Sequence, residues 1–223
     1  MLFRSGNVSL YNETDRGAIY PTPTVGMVGI LGDVDRHASP GFKREGDLVV
    51  VIGRGSVVSL DGSEYLDIVH GRVAGRPSPP DLGAVMETAD LVREMVRSRL
   101  LDTAHDISGG GEIVAVAEMA LAGGFGIEYE EGKLERMTAG RGGGRVDVAL
   151  FGEGSGAFVV AVPEERWDEV QVALVGFAYD VVGTTGGERF KIGDLIDVEL
   201  SDLREAYERD LFESYAPEGG HIG

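Results

Sequence analysis

The chain contains no cysteine. That excludes disulfides, thiolate metal sites and a cysteine nucleophile. Long apolar runs are missing too. The longest, such as Leu48 to Ile52 and Phe158 to Val162, have strand length, whereas a membrane span needs roughly 18 or more apolar residues. No charged-then-apolar leader of the signal-peptide kind is present. Lysine is scarce: only Lys43, Lys133 and Lys191 among 20 basic residues. Basic residues are outnumbered by 38 acidic ones, for a formal net charge of -18. This balance argues against non-specific nucleic-acid binding, which uses positive charge to release counterions. A cytoplasmic protein that touches neither membrane nor nucleic acid is the expectation.

What is present begins with a core. Hydrophobic residues make up 43% of 223, enough for one large domain or one and a half ordinary ones. The acidic excess has two readings. One is adaptation to high salt, where an acidic surface keeps a protein soluble. The other is an ordinary acidic surface on arginine-rich coding. Neither prevents phosphate binding, since local backbone N–H groups can hold an anion.

Residues Asn7 to Asn12 alternate in character and predict a strand, followed by a turn at Asp15-Arg16-Gly17 and a second strand over Thr24 to Leu31. A two-stranded hairpin alone is not stable in water, so these strands are expected to belong to a domain of which only a remnant lies here. From about Pro40 the pattern is regular. Strands are predicted at Asp47 to Gly53, Thr103 to Ile107, Gly126 to Tyr129, Ala157 to Val162, Asp180 to Gly183 and Arg189 to Ile192. Ser63 is placed to cap a short helix through Val69 that Gly71 closes. Asp81 is placed to cap a long helix to about Leu100, with Leu82, Val85, Met86, Ala89 and Val92 at helical spacing. Further helices are predicted over Glu112 to Leu121, Pro163 to about Val175 and Ser201 to Arg209. Strands alternating irregularly with helices give an α/β fold, layered in the α+β manner.

The first motif that carries chemistry is Ser5-Gly6-Asn7-Val8-Ser9-Leu10-Tyr11-Asn12-Glu13. On a strand, Asn7, Ser9 and Tyr11 share one face. An amide oxygen can join a Mg²⁺ shell, a serine hydroxyl can bond a phosphate or amide, and Gly6 lets a nucleotide approach the backbone. From the residues alone, a polar turn entering an edge strand is the preferred reading. The second motif is Ser108-Gly109-Gly110-Gly111 between a strand and a helix, where backbone N–H groups beside a helix N-terminus suit a phosphate. His105 and Asp106 precede it without a nucleophile and read as structural. The third, Gly152-Glu153-Gly154-Ser155-Gly156, reads as a turn before a strand. His37, His70 and His221 have no metal-ligand spacing. His70 before Gly71 suits a helix C-terminus, and Asp33 with Asp35 reads as a solvated turn.

The run Ser5 to Glu13 resembles a signature of the phosphoribosylformylglycinamidine synthases. The resemblance continues through Ala18 to Gly29, Ser39-Pro40-Gly41-Phe42-Lys43, Glu45-Gly46-Asp47, Gly62-Ser63-Glu64-Tyr65, Val69-His70-Gly71, Ala104 to Gly111, Ala117 to Ala122 and Leu150-Phe151-Gly152-Glu153, in family order. Two positions depart. The family usually has a bulkier or acidic residue near Gly109 and often leucine at Glu112. The resemblance implies an aminoimidazole ribonucleotide synthetase-like C-terminal domain preceded by a remnant of the N-terminal domain. On that reading, residues 1–36 are the last strands of a second N-domain, 37–215 are a second C-domain, and 216–223 are a tail.

It also implies a function. The complete enzyme would convert formylglycinamide ribonucleotide to the amidine, using ATP, Mg²⁺ and ammonia from glutamine. Carried over by position, Gly6 would contact ATP, Asn7 Mg²⁺ and Ser9 the substrate, with no catalytic residue on this chain. The glycine loop Ser108 to Gly111 would lie near a phosphate without doing chemistry. Partners would be the missing N-terminal portion of the synthase, a glutaminase and small PurS-type subunits, and the isolated chain is expected to be inactive. Two rivals are another ATP-dependent enzyme of the same superfamily and a non-catalytic nucleotide-binding or assembly module. The Ser5 to Glu13 run speaks against the first.

Overall fold

The computed structural model describes residues 13–15, 17–19, 25–53, 58–140 and 143–213. Contacts divide the chain into two units, Met1–Val34 and Asp35–Gly223. In the first unit, Glu13–Thr14 (β1) pairs antiparallel with Gly17–Ala18 (β2), with Thr14 opposite Gly17. The turn between them falls where Asp15-Arg16-Gly17 predicts it, and Gly17 takes a φ of 119° that disfavours a side chain. The strand expected over Thr24 to Leu31 does not form across its described part, Val25 to Leu31. An extended apolar segment becomes a strand only when another strand takes up its N–H and C=O groups. Val28 and Ile30 are instead almost fully exposed.

The second unit is built on a seven-stranded sheet. Its strands are Leu48–Ile52 (β3), Ala104–Asp106 (β4), Ile127–Tyr129 (β5), Phe158–Val162 (β6), Tyr179–Thr185 (β7), Arg189–Ile192 (β8) and Ile196–Glu199 (β9). The spatial order is β4-β6-β3-β7-β5-β8-β9, and only β5 and β8 pair in parallel. β3 is central and reads Leu-Val-Val-Val-Ile because both of its faces are covered. Val49 and Val51 point into one core, and Val50 and Ile52 into the other. Full burial of each such side chain contributes about 1.5–3 kcal/mol.

Helices form the outer layers. These are Glu64–His70 (α1), Leu82–Arg97 (α2), Gly111–Gly123 (α3), Lys133–Gly140 (α4), Val146–Phe151 (α5), Trp167–Ala173 (α6) and Leu200–Glu213 (α7). Residues of α3, α4, α5 and α7 pack with Val49, Val159 and Phe190 on one face of the sheet. On the other face Val92 and Met95 of α2 and Val170 of α6 meet Val50 and Val160. The caps fall where the residues predict. Ser63 Oγ accepts from Leu66 N, Gly71 closes α1 in the left-handed region, and Asp81 accepts from Gly83 N and Ala84 N.

Other expectations need correction. Helices α4 and α5 and strand β9 form where the sequence reading has none. The helix expected over Pro163 to Val175 is a 3-10 turn, Glu164–Arg166, followed by the short α6. The layered α/β class stands. Among the described residues, no helix is long and apolar enough to cross a membrane.

Candidate functional site

The sheet register brings four strand ends together. Asp106 of β4 and Ile52 of β3 both stand opposite Phe158 of β6, and Ile52 also stands opposite Tyr179 of β7. The segments after β3 and β4 and before β6 and β7 therefore meet at one end of the sheet. A cavity of about 540 Å³ opens there. Val51, Ile107, Ala149 and Ala157 make an apolar lining, and Asp81, Glu112 and Asp180 are among its acidic lining residues. Its size falls within the usual range for small-molecule pockets, roughly 300–1,000 Å³.

Glu112 sits in the first turn of α3 and is buried, at 3% exposure. The Tyr129 hydroxyl donates to its Oε1 at 3.4 Å. Asp180 is held by Lys133, which is itself buried at 2% and also donates to the Val181 carbonyl at 2.6 Å. A lysine this deep persists because it is paired and hydrogen-bonded. It ties the start of α4 to the cavity wall.

The glycine loop is shaped by packing. Gly110 and Gly111 both take positive φ, 81° and 76°. A Cβ on Gly111 would come within 2.8 Å of the Phe151 backbone carbon, so α3 starts directly against the C-terminal end of α5. The Gly110 amide donates to Glu153 Oε1 at 2.8 Å, and the same oxygen accepts from Glu64 N at 2.9 Å. The Gly111 amide donates to the Ser108 carbonyl. Of the four residues expected beside a phosphate, two therefore spend their N–H groups within the protein. The carboxylate of Glu153 stands where an anion at the start of α3 would. Glu153 belongs to the segment read as a plain turn, and it also pairs with Ser59 through the backbone.

The remaining candidates are dispersed. Gly6, Asn7 and Ser9 lie outside the described residues. His105 stands apart from the cavity, with Nδ1 at 2.7 Å from the Asp106 carbonyl and Nε2 at 3.5 Å from Glu118. His70 ends α1 and packs edge-on against Tyr65. Asp33 and Asp35 are exposed. Among the described residues no group of three His, Asp or Glu could hold a metal ion.

A charged network lies at the opposite end of β3. Arg44 donates two parallel bonds to Asp102, each 3.0 Å, and a third to Asp47 at 3.2 Å. Hydrogen bonding to Asp102 raises the Arg44 pKa further, against the opposing effect of burial. Burial pushes the Asp102 carboxyl up, but Arg44 and Lys43 outweigh it and hold it below its ordinary value. Asp47 goes the other way. Burial raises it more than Arg44 lowers it, and the nearby charges of Asp102 and Glu165 add to the rise. This network fastens the approach to β3 and touches no part of the cavity.

The seven-stranded, largely antiparallel sheet with helices on both faces and a cavity where its strand ends meet defines a layered α/β class of fold. Residues 44–194 match the AIR synthase related protein, C-terminal domain, and the chain belongs to that family. Within it the sequence is similar to the phosphoribosylformylglycinamidine synthase subunit PurL of Moorella thermoacetica, 44% identical over 212 residues, covering 92% of this chain and 28% of the relative. Among solved structures, T. maritima PurL complexed with FGAR aligns with a TM-score of 0.62 and 18% identity over 76% of this chain and 30% of that one. T. maritima PurL complexed with AMPPCP aligns at 0.58 and 19%, over 76% of this chain and 27% of that one. The chain thus spans about 28% of the length of the curated relatives it matches.

Proposed function

We propose that this chain is the C-terminal part of an ATP-dependent amidine-forming ligase of purine biosynthesis. The complete enzyme would convert formylglycinamide ribonucleotide, ATP and glutamine-derived ammonia to formylglycinamidine ribonucleotide, ADP and phosphate. The observation that carries this reading is the 44% identity to a PurL subunit across 92% of the chain. In such phosphoryl chemistry the protein mainly positions groups and stabilises charge. Gly6 would contact ATP, Asn7 would give an amide oxygen to Mg²⁺ and Ser9 would hold the substrate. Their residue types fit those roles. Residues 1–36 would be the end of an N-domain and 37–215 a whole C-domain, with 216–223 as a tail. The partners would be the remaining part of the synthase, a glutaminase and small PurS-type subunits, in the cytoplasm.

The described residues would form a scaffold for this reaction. The chain is supplied with ATP, Mg²⁺, formylglycinamide ribonucleotide and ammonia, alone and together with the complementary portion of a relative's PurL. ADP release is expected only in the second case, and Asn7→Ala there is expected to raise the Mg²⁺ requirement. Turnover by the chain alone would sink the proposal.

A further inference from the structure

We infer that residues 39–44 form a strap that opens as one unit while the sheet stays folded, with Asp102 as the latch that holds it shut. The strap leads toward β3 and carries no element of its own beyond a bridge from Ser39 to Thr103. Of its six residues only Phe42 is buried, and few buried contacts are the mark of a segment with low local stability. What holds it converges on Asp102. The Asp102 carbonyl accepts from Ser39 N at 3.1 Å and from Lys43 Nζ at 2.5 Å. Its carboxylate takes the two parallel bonds of the Arg44 guanidinium. Such bidentate charged pairs are among the stronger hydrogen-bonded contacts.

The hinge lies at Thr185, the last residue of β7. Its Oγ1 donates to the Arg44 carbonyl and accepts from Asp47 N. Its N–H donates to the Asp47 carbonyl, and its carbonyl accepts from Gly46 N. These bonds fix the chain that follows the strap. Ahead of the hinge the strap lies against the end of α3. The Phe42 amide donates to the Met119 carbonyl, and a Cβ on Gly41 would come within 2.8 Å of the Ala122 backbone carbon. The Ala104 amide donates back to the Ser39 carbonyl. The run Ser39-Pro40-Gly41-Phe42-Lys43, to which the proposed function gives no role, is thereby accounted for. Ser39 and Lys43 reach the latch, Gly41 permits the close approach, and Phe42 seats the middle.

The inference concerns the chain by itself and does not require the assembled ligase. The full chain is tested by native-state hydrogen exchange across sub-denaturing urea. The Ser39 and Phe42 amides report the strap, and the amides of β3 and β6 report the sheet. The strap amides are expected to exchange faster than those of the sheet and with a shallower urea dependence, because a local opening exposes little surface. Val170→Ala weakens the core on the far face of the sheet, where Val170 is fully buried. It should speed the sheet amides about tenfold or more and leave the strap amides unchanged. Asp102→Asn should speed the strap amides about tenfold or more. Arg44→Lys keeps a charge but loses the paired bonds, and should speed them about threefold or more. Thermal melts establish that each variant folds. If Asp102→Asn does not, Arg44→Lys decides for the latch, and the urea slope of the parent needs no variant. Strap amides that follow the sheet in urea slope or in Val170→Ala would overturn the opening. Unchanged strap exchange in the folded Asp102→Asn or Arg44→Lys proteins would overturn the latch.

Discussion

At the scale of single residues, Asp47 and Asp102 share one arginine and are driven in opposite directions. Arg44 Nε stands 3.2 Å from both carboxylate oxygens of Asp47 and donates to Oδ1. The Asp47 carboxyl lies above the ordinary value because burial prevails. The native state therefore keeps this proton at pH values where the unfolded chain, with a pKa of about 3.9, has released it. Stability from this group falls as pH rises between those two values. Asp102 is depressed, so what it contributes is present above about 3.9 and is lost as pH falls through its lower native value. Asp47→Asn removes the first effect and leaves the second. In urea titrations, the stability of the variant relative to the parent should increase as pH goes from about 4 to about 7. A constant difference across that range would show that Asp47 titrates in the native state as it does unfolded.

At the scale of elements, α1 depends on its ends. No residue of it is buried, so it gains little from the core and rests on caps. Ser63 and Gly71 supply two, the stacking of Tyr65 on Phe151 at 4.7 Å adds a side contact, and Glu153 bonds the Glu64 amide while also holding the start of α3. Glu153→Ala should cost about 2 kcal/mol, since two amides lose a charged acceptor, and Glu153→Gln about half as much. Chemical denaturation gives the totals. Hydrogen exchange should show the loss concentrated in α1 and the 108–111 loop, and a uniform change would refute the clamp.

The same elements show what the residue pattern could reveal. Caps and central strands were legible because Ser63, Asp81 and the Val-rich runs act locally. Helix α4 was hidden because its buried face is carried by Lys133 and Met137, and a buried lysine reads as a surface residue. Helix α5 is too short for a period to emerge. Strand β9 is polar at alternate positions and is placed by its pairing with β8. The residues of the cavity escaped for a related reason. Glu112, Ser155 and Asp180 come from three distant segments, and only the sheet register brings their elements to one end. Glu112 left a trace, as an acidic residue in the first turn of a mainly apolar helix.

At the scale of the whole molecule, the formal charge of -18 bears on stability through self-repulsion. Local pairing does not remove it. Pairs such as Arg189 with Asp197 and Glu199 or Lys191 with Glu128 neutralise charge locally, but 38 acidic residues against 20 basic ones leave the excess of 18 in place. Salt shortens the reach of that repulsion from about 30 Å at 0.01 M to about 10 Å at 0.1 M. The melting temperature of the chain should therefore rise with NaCl. The shape of the rise separates the two readings of the acidity. Ordinary screening is largely complete once the Debye length is about 8 Å, near 0.15 M, and an ordinary acidic surface predicts a plateau soon after. Adaptation to high salt predicts a rise that continues toward about 1 M, beyond what screening supplies. Comparing KCl with sucrose at matched water activity keeps the ionic effect apart from general exclusion of cosolvent. A melting temperature that stays flat from low salt onward would mean that the acidic groups are too far apart to strain the fold, and both readings of the charge would then have to be abandoned as statements about stability.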